Sequence, residues 1–162
     1  MGKIPPKGAA FLLAQVGAHA AAGFADRLTP LGLTPAHAGL LRVIAMTSGG
    51  SQQEVAAKLG MFPSRLVALI DELQERGLVE RSTNPGDRRT HALRLTPDGQ
   101  HAIDAIGRIA REHQEALLAA LTRDERDTLA TLLRRIARDQ GLTSGVHPGY
   151  ARMRPAWPAS ND

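Results

Sequence analysis

The sequence predicts a mainly α-helical chain carrying one small β-hairpin. Three observations predict it. Apolar residues recur three and four apart through most of the chain, the period of helices with one buried face. Aromatic residues are only 3% against 43% hydrophobic residues, so Leu, Ile, Val and Ala must build the core. That composition favours packed helices over a large sheet, since strands are enriched in aromatic and β-branched residues. Finally, between Leu78 and Leu95 alternation and a strong turn signal replace the helical period.

A chain of 162 residues suits one compact domain or a small domain with helical arms. The formal charge of +4 is compatible with nucleic acid or an anionic surface. No cysteine is present, which excludes disulfides, thiolate metal sites and thiol redox sensing. No apolar run approaches the roughly 20 residues that span a bilayer. Lys3 and Lys7 before an apolar stretch resemble a signal peptide, but Gln15 and His19 interrupt that stretch. The expectation is a mature amphipathic helix in a cytoplasmic protein, with no membrane partner.

Residues 1–7 form a polar, proline-containing lead. A helix follows over 8–28, with Leu13, Val16, Ala20 and Phe24 on one face. Leu28-Thr29-Pro30 ends it, because the residue before proline avoids the helical region. Thr34-Pro35 opens the next helix with an N-cap hydroxyl and a proline in first position, and Gly49-Gly50 stops it. Ser51-Gln52-Gln53-Glu54 is a capping box for a short helix that ends at Gly60. The following helix, 63–76, spaces Leu66, Leu69, Ile70 and Leu73 at i, i+3, i+4, i+7, burying one face and freeing the other. Two strands, 78–81 and 92–95, flank the turn Asn84-Pro85-Gly86. Thr96-Pro97 opens a long helix to about residue 120, with Ile103, Ile106, Ala110, His113 and Leu117 as a seam for another helix. Thr122 to Glu125 caps a last helix that ends at Gly141. Residues 141–162 have no periodicity and predict a flexible tail, docking weakly through Tyr150 and Trp157.

Helix, turn, helix, strand, charged tip, strand is the winged helix-turn-helix plan. One helix of such a pair fits the major groove of DNA while the other braces it. Ser64 and Arg65 stand at the start of the free face of the 63–76 helix. A serine hydroxyl bonds phosphate or a base edge, and an arginine forks onto guanine. Asp87-Arg88-Arg89 stands at the hairpin tip, where arginine reaches a narrow minor groove. Phosphate repels Asp87, so its expected role is to hold an arginine by paired hydrogen bonds.

The segments LTPAHAGLLRVIA, SQQEVAAKLG and LVALIDELQERGLVERSTNPGDRRTHALRLTPDG resemble the MarR (multiple antibiotic resistance regulator) family over about residues 8–140. The most specific element is GLVER followed by NPGDRR and L-x-L-T-x-x-G. The resemblance implies a winged helix-turn-helix with N- and C-terminal dimerisation helices. Its parts are an arm and dimerisation helix over 1–33, a DNA-binding region over 34–97, dimerisation helices over 98–140 and the tail. It implies a cytoplasmic homodimer on double-stranded DNA at a pseudo-palindromic operator, acting as a repressor. The DNA-contact set it implies is Ser51, Gln52, Pro63, Ser64, Arg65, Ala68, Asp87, Arg88, Arg89 and Thr90. It also implies a small aromatic or phenolic acid as effector, with His19, His37 and Arg42 as polar candidates for its pocket. The sequence departs from the family pattern at Phe62, where a small capping hydroxyl is usual, and at Val67-Ala68, where a polar or basic residue often faces the groove. Val67 or Ala68 is suited to touching a thymine methyl instead.

Other classes have less support. His19, His37, His91, His101, His113 and His147 include no i, i+4 pair, so a metal-responsive regulator of the same fold is the weaker alternative and no metal or other cofactor is expected. His113 on the seam reads as an interface residue. No G-x-S-x-G elbow, Walker loop, G-x-G-x-x-G or H-E-x-x-H occurs, which argues against an enzyme. A winged-helix protein-interaction module without DNA binding would have no use for Arg88 and Arg89.

Overall fold

The computed structural model describes residues 8–84 and 86–147; the side chains of Asn84 and of residues 87–90 lie outside that description. The order is α1 (Ala9–Leu28), a 3-10 turn (Thr29–Leu31), α2 (Pro35–Thr47), α3 (Gln52–Leu59), α4 (Pro63–Glu75), β1 (Val79–Asn84), β2 (Asp87–Leu95), α5 (Pro97–Leu117) and α6 (Arg123–Asp139). Chemistry at the helix starts explains most boundaries. The hydroxyls of Thr34, Ser51, Thr96 and Thr122 each accept from the backbone N–H three residues on. At Ser51 and Thr122 a glutamate reaches back to the cap N–H, completing a capping box. At Thr34 a histidine does so: His37 Nδ1 accepts from Thr34 N–H at 3.1 Å.

The start of α4 differs. Phe62 stands at the N-cap and makes no side-chain cap bond. Pro63 in first position supplies a preset helical φ instead. Met61 and Leu66, both buried, hold the two positions of a hydrophobic staple around it.

The core lies between α2, α3, α4 and the base of the hairpin. Leu40, Leu41, Ile44, Val55, Leu66, Ile70, Leu73 and Leu93 are essentially inaccessible. Burying each such side chain is worth about 1.5–3 kcal/mol. The hairpin is stitched to the helices through its base. Leu93 N–H donates to Gly50 O at 3.0 Å, and Gly49 N–H donates to Leu93 O at 3.2 Å. Thr96 N–H donates to Leu78 O at 3.1 Å and its hydroxyl to Gly77 O at 2.5 Å. Gly99, in the first turn of α5, lies so close to this junction that a Cβ would drive into the Leu78 carbonyl oxygen.

The hairpin is longer than its apolar alternation predicts. The strands run over Val79–Asn84 and Asp87–Leu95 rather than 78–81 and 92–95. The register pairs Val79 with Leu95, Arg81 with Leu93 and Thr83 with His91, then shifts before Asn84 pairs with Asp87. The sequence of the outer half lacks the apolar alternation of a strand with one covered face, and the strand pairing continues through it. The 3-10 turn at Thr29–Leu31 is a further addition; Arg76 closes it by donating to Leu31 O at 2.9 Å and to Gly32 O.

Helix α1 packs along α5, where Phe24 and His113 rings stand 5.9 Å apart. His113, expected at an interface, packs α1 on α5 within the chain. Phe11, Leu12, Leu13 and Val16 of α1 remain exposed. So do Leu132, Leu133 and Ile136 of α6, a helix with no buried residue. Its start is tied to the end of α5 by Arg126, which donates to Leu118 O and Leu121 O at 3.1 Å and pairs with Glu115 at 2.6 Å. After α6 the chain makes two bonded turns, Leu142 N–H to Ala137 O and Val146 N–H to Thr143 O. Residues 141–147 of the expected tail form these turns; Tyr150 and Trp157 lie outside the described residues.

Candidate nucleic-acid interface

Helices α3 and α4 meet at a tight corner. Gly60 caps α3 with φ 60°, and Met61 N–H donates back to Ala56 O at 3.1 Å. The corner presents α4 with Leu66, Leu69, Ile70 and Leu73 inward. Its outer face divides by chemistry. The first two turns carry Ser64, Val67 and Ala68, all exposed; the next two carry Asp71, Glu72 and Glu75. Phosphate attracts cations and repels carboxylates, so only the first half of α4 suits a DNA groove.

Two of those three carboxylates are held by other elements. Arg81 of β1 pairs with Asp71 at 2.6 Å and donates to Gln74 Oε1 at 2.7 Å and to Gln52 Oε1 at 2.9 Å. One guanidinium thereby joins α3, α4 and the wing. Glu72 receives His37 Nε2 at 2.7 Å. Because His37 Nδ1 accepts from Thr34, the ring proton sits on Nε2 and the ring donates to Glu72. Sequence reading missed both ties. The signal for Arg81 was available: Asp71 and Gln74, three apart on α4, face the strand that follows.

The expected contact residues take up different stations. Ser51 caps α3, and its hydroxyl accepts from Glu54 N–H at 3.2 Å. Gln52 is drawn toward Arg81. Pro63, Ser64 and Ala68 are exposed at the start of α4. Arg65 is half-buried, and its Nε meets no acceptor among the described residues. Asp87, Arg88, Arg89 and Thr90 occupy β2 at the outer end of the hairpin. The expected pairing of Asp87 with an arginine falls on side chains outside the description.

A cavity of about 340 Å³ opens on the other side of α2. Phe24 of α1, Ala38 and Arg42 of α2, and Ile103 and Ile106 of α5 line it, and Gly145 and His147 close one side. Arg42 is the polar candidate that the structure places there. Its guanidinium lies against Gly145, where φ is 72° and a side chain would collide with it. His37 is turned away, buried and engaged with Thr34 and Glu72, so it is not a wall of this cavity. His19 is exposed on α1 and does not line it either. His147, weighed in the sequence only as a metal ligand, does. Among the described residues no group of three His, Asp or Glu side chains is placed to hold a metal ion.

A helix-turn-helix with a paired hairpin, braced by long helices on both sides, defines the class of winged-helix DNA-binding regulators. The family model that matches residues 31–90 is that of the MarR family. A protein of Thauera aromatica, assigned to transcriptional regulation of the hcr operon, is 36% identical over 115 residues, 71% of this chain and 69% of its own length. The transcriptional repressor CouR, solved on a 23-mer DNA duplex, superposes with a TM-score of 0.72 at 33% identity, over 80% of this chain and 92% of that one. A mutant MarR of E. coli, solved with operator DNA, superposes with a TM-score of 0.68 at 27% identity, over 77% and 90%. The chain belongs to the MarR family of transcriptional regulators.

Proposed function

We propose that this regulator is a homodimeric repressor of the cytoplasm that binds a pseudo-palindromic operator and is released by a small aromatic or phenolic acid. It carries out no catalysis. The observation that carries the reading is the outer face of α4: neutral and open over its first two turns, with Arg65 beside it and the hairpin next to it. Similar chains have been solved on DNA, which supports the same use of this face. Ser64, Arg65 and Ala68 enter the major groove, with Pro63 at the groove edge. Ser51 and Gln52 lie by the backbone at the start of α3. Asp87, Arg88, Arg89 and Thr90 bring the hairpin to the minor groove.

Dimerisation rests on apolar surface. Phe11, Leu12 and Val16 of α1 and Leu132, Leu133 and Ile136 of α6 would otherwise face water. Release rests on the cavity. Its volume is at the lower end for small-molecule sites, roughly 300–1,000 Å³. Its apolar walls suit an aromatic ring, and Arg42 suits a carboxylate. Helix α2 forms one wall and also holds α4 through the His37–Glu72 bond, so a ligand that shifts α2 shifts the reading helix. It need only bind the two arrangements with different affinity.

The direct test is a gel shift on DNA upstream of the chain's own gene, with Arg89→Ala as control. Retarded DNA that Arg89→Ala weakens is the expected result. Absence of any shift at low salt, with a folded dimer, would contradict the proposal. A thermal-shift screen of aromatic acids, repeated with operator, tests release: the effector raises Tm and lowers operator affinity.

A further inference from the structure

The half of α4 that suits a groove is poor in hydrogen-bonding groups. Phe62 is 53% exposed and Val67 38% exposed, and Ala68 beside them is exposed too. Large apolar side chains left in water on a short helix mark a contact surface when they cluster. These all stand in the N-terminal half of α4 or at its cap. The other end of the same outer face carries Asp71, Glu72 and Glu75, a stretch rich in carboxylates that suits a polyanion's groove less well even with Asp71 paired to Arg81. The apolar side chains therefore occupy the part of α4 that is fit to enter.

Phe62 adds a second indication. A serine or threonine at an N-cap stabilises a helix, and this chain uses one at α2, α3, α5 and α6. At α4 it forgoes the cap bond for an exposed ring, whereas α1, which also lacks a side-chain cap, begins at Gly8. Pro63 starts the helix without that bond, so the helix start does not itself require an exposed ring at this position.

In the major groove one base-edge group is apolar, the 5-methyl of thymine. We infer that Phe62, Val67 and Ala68 form an apolar reader of thymine methyl groups, so this protein selects its half-site by methyl contact as well as by hydrogen bonds from Ser64 and Arg65. Each methyl is packed against an aliphatic or aromatic side chain and drawn from water. The inference rests on the DNA-binding proposal above and names what its reading helix recognises.

The test uses the full-length protein. Its preferred site is first selected from random duplex DNA. Each thymine of that site is then replaced by deoxyuridine, which keeps every hydrogen-bonding group and removes only the methyl. Affinity of the unaltered protein is expected to fall about four-fold at each contacted thymine, as for loss of one buried methyl-sized group. Val67→Ala and, separately, Phe62→Ser should narrow the gap between thymine and deoxyuridine at one position each while still binding both. A selected site on which deoxyuridine is tolerated throughout would overturn the methyl reader and leave the DNA-binding proposal standing; it would be the outcome if the patch serves a protein partner. Failure to enrich any sequence would overturn both.

Discussion

At Arg81 three elements meet through one side chain. Its bonds to Asp71, Gln74 and Gln52 fix the wing's first strand against both helices of the reading pair. The same contacts offset the charge of Asp71, which on the proposed reading lies on the side turned to DNA. Arg81→Ala should therefore have two effects. Partly exposed charged bonds contribute modestly, so urea unfolding should show a loss of about 1–2 kcal/mol. DNA affinity should fall further than that loss of stability explains, because Asp71 is uncovered; the double variant Arg81→Ala, Asp71→Asn should recover part of it. Equal affinity for the single and double variants would remove this role. Sequence pattern marked the residues at the start of α4 and the hairpin tip, since both carry local signals. It did not mark Arg81, whose partners are as far as 29 positions away, nor the use of His37 as a cap and a tie to Glu72. A histidine looks the same in a sequence whether it caps a helix or lines a cavity.

Helices were legible at the scale of the element because their signals are local. Thr34, Ser51, Thr96 and Thr122 mark starts, and Gly60 and Gly77 lie at the ends of α3 and α4, as predicted. The hairpin was under-called in length because its outer part lacks the apolar alternation that one covered face imposes. The cap of α6 supports a pH prediction. The Glu125 carboxyl is held below the usual carboxylate range, first by the Thr122 backbone N–H and then by its hydroxyl, against a small opposing effect of burial. A lowered folded value means the ionised box stabilises α6 above the ordinary range and loses that contribution as pH falls through the folded value. Thermal melts followed by helical circular dichroism should show this loss on acidification below about pH 4. Glu125→Gln should weaken the start of α6 near neutrality and flatten that part of the acid response. An unchanged acid profile in Glu125→Gln would place the effect elsewhere.

For the whole molecule, the exposed apolar faces of α1 and α6 and the single reading helix per chain point the same way. On the proposed reading one lobe presents one half-site reader, and two lobes linked through these helices would gain avidity without new contacts. Ile136→Glu places a carboxylate on the exposed face of α6 and leaves the buried core untouched. Light scattering should then give the mass of one chain, with operator affinity lower by on the order of 10²-fold. A dimer that survives Ile136→Glu and Leu133→Glu together would remove α6 from the interface. The composition indicated helical packing, but the cavity was only partly legible: Arg42 was singled out, whereas Gly145 and His147 come from a segment whose sequence has no period.

Hydroxyl-radical and methylation footprinting on the selected operator addresses the central claim of a symmetric, two-lobed DNA reader. Two equivalent major-groove patches should be protected, centred one helical turn apart, about 34–36 Å, with minor-groove protection flanking each. Arg89→Ala should erase the flanking protection and leave the major-groove patches. A single asymmetric patch, or protection that does not depend on sequence, would contradict it.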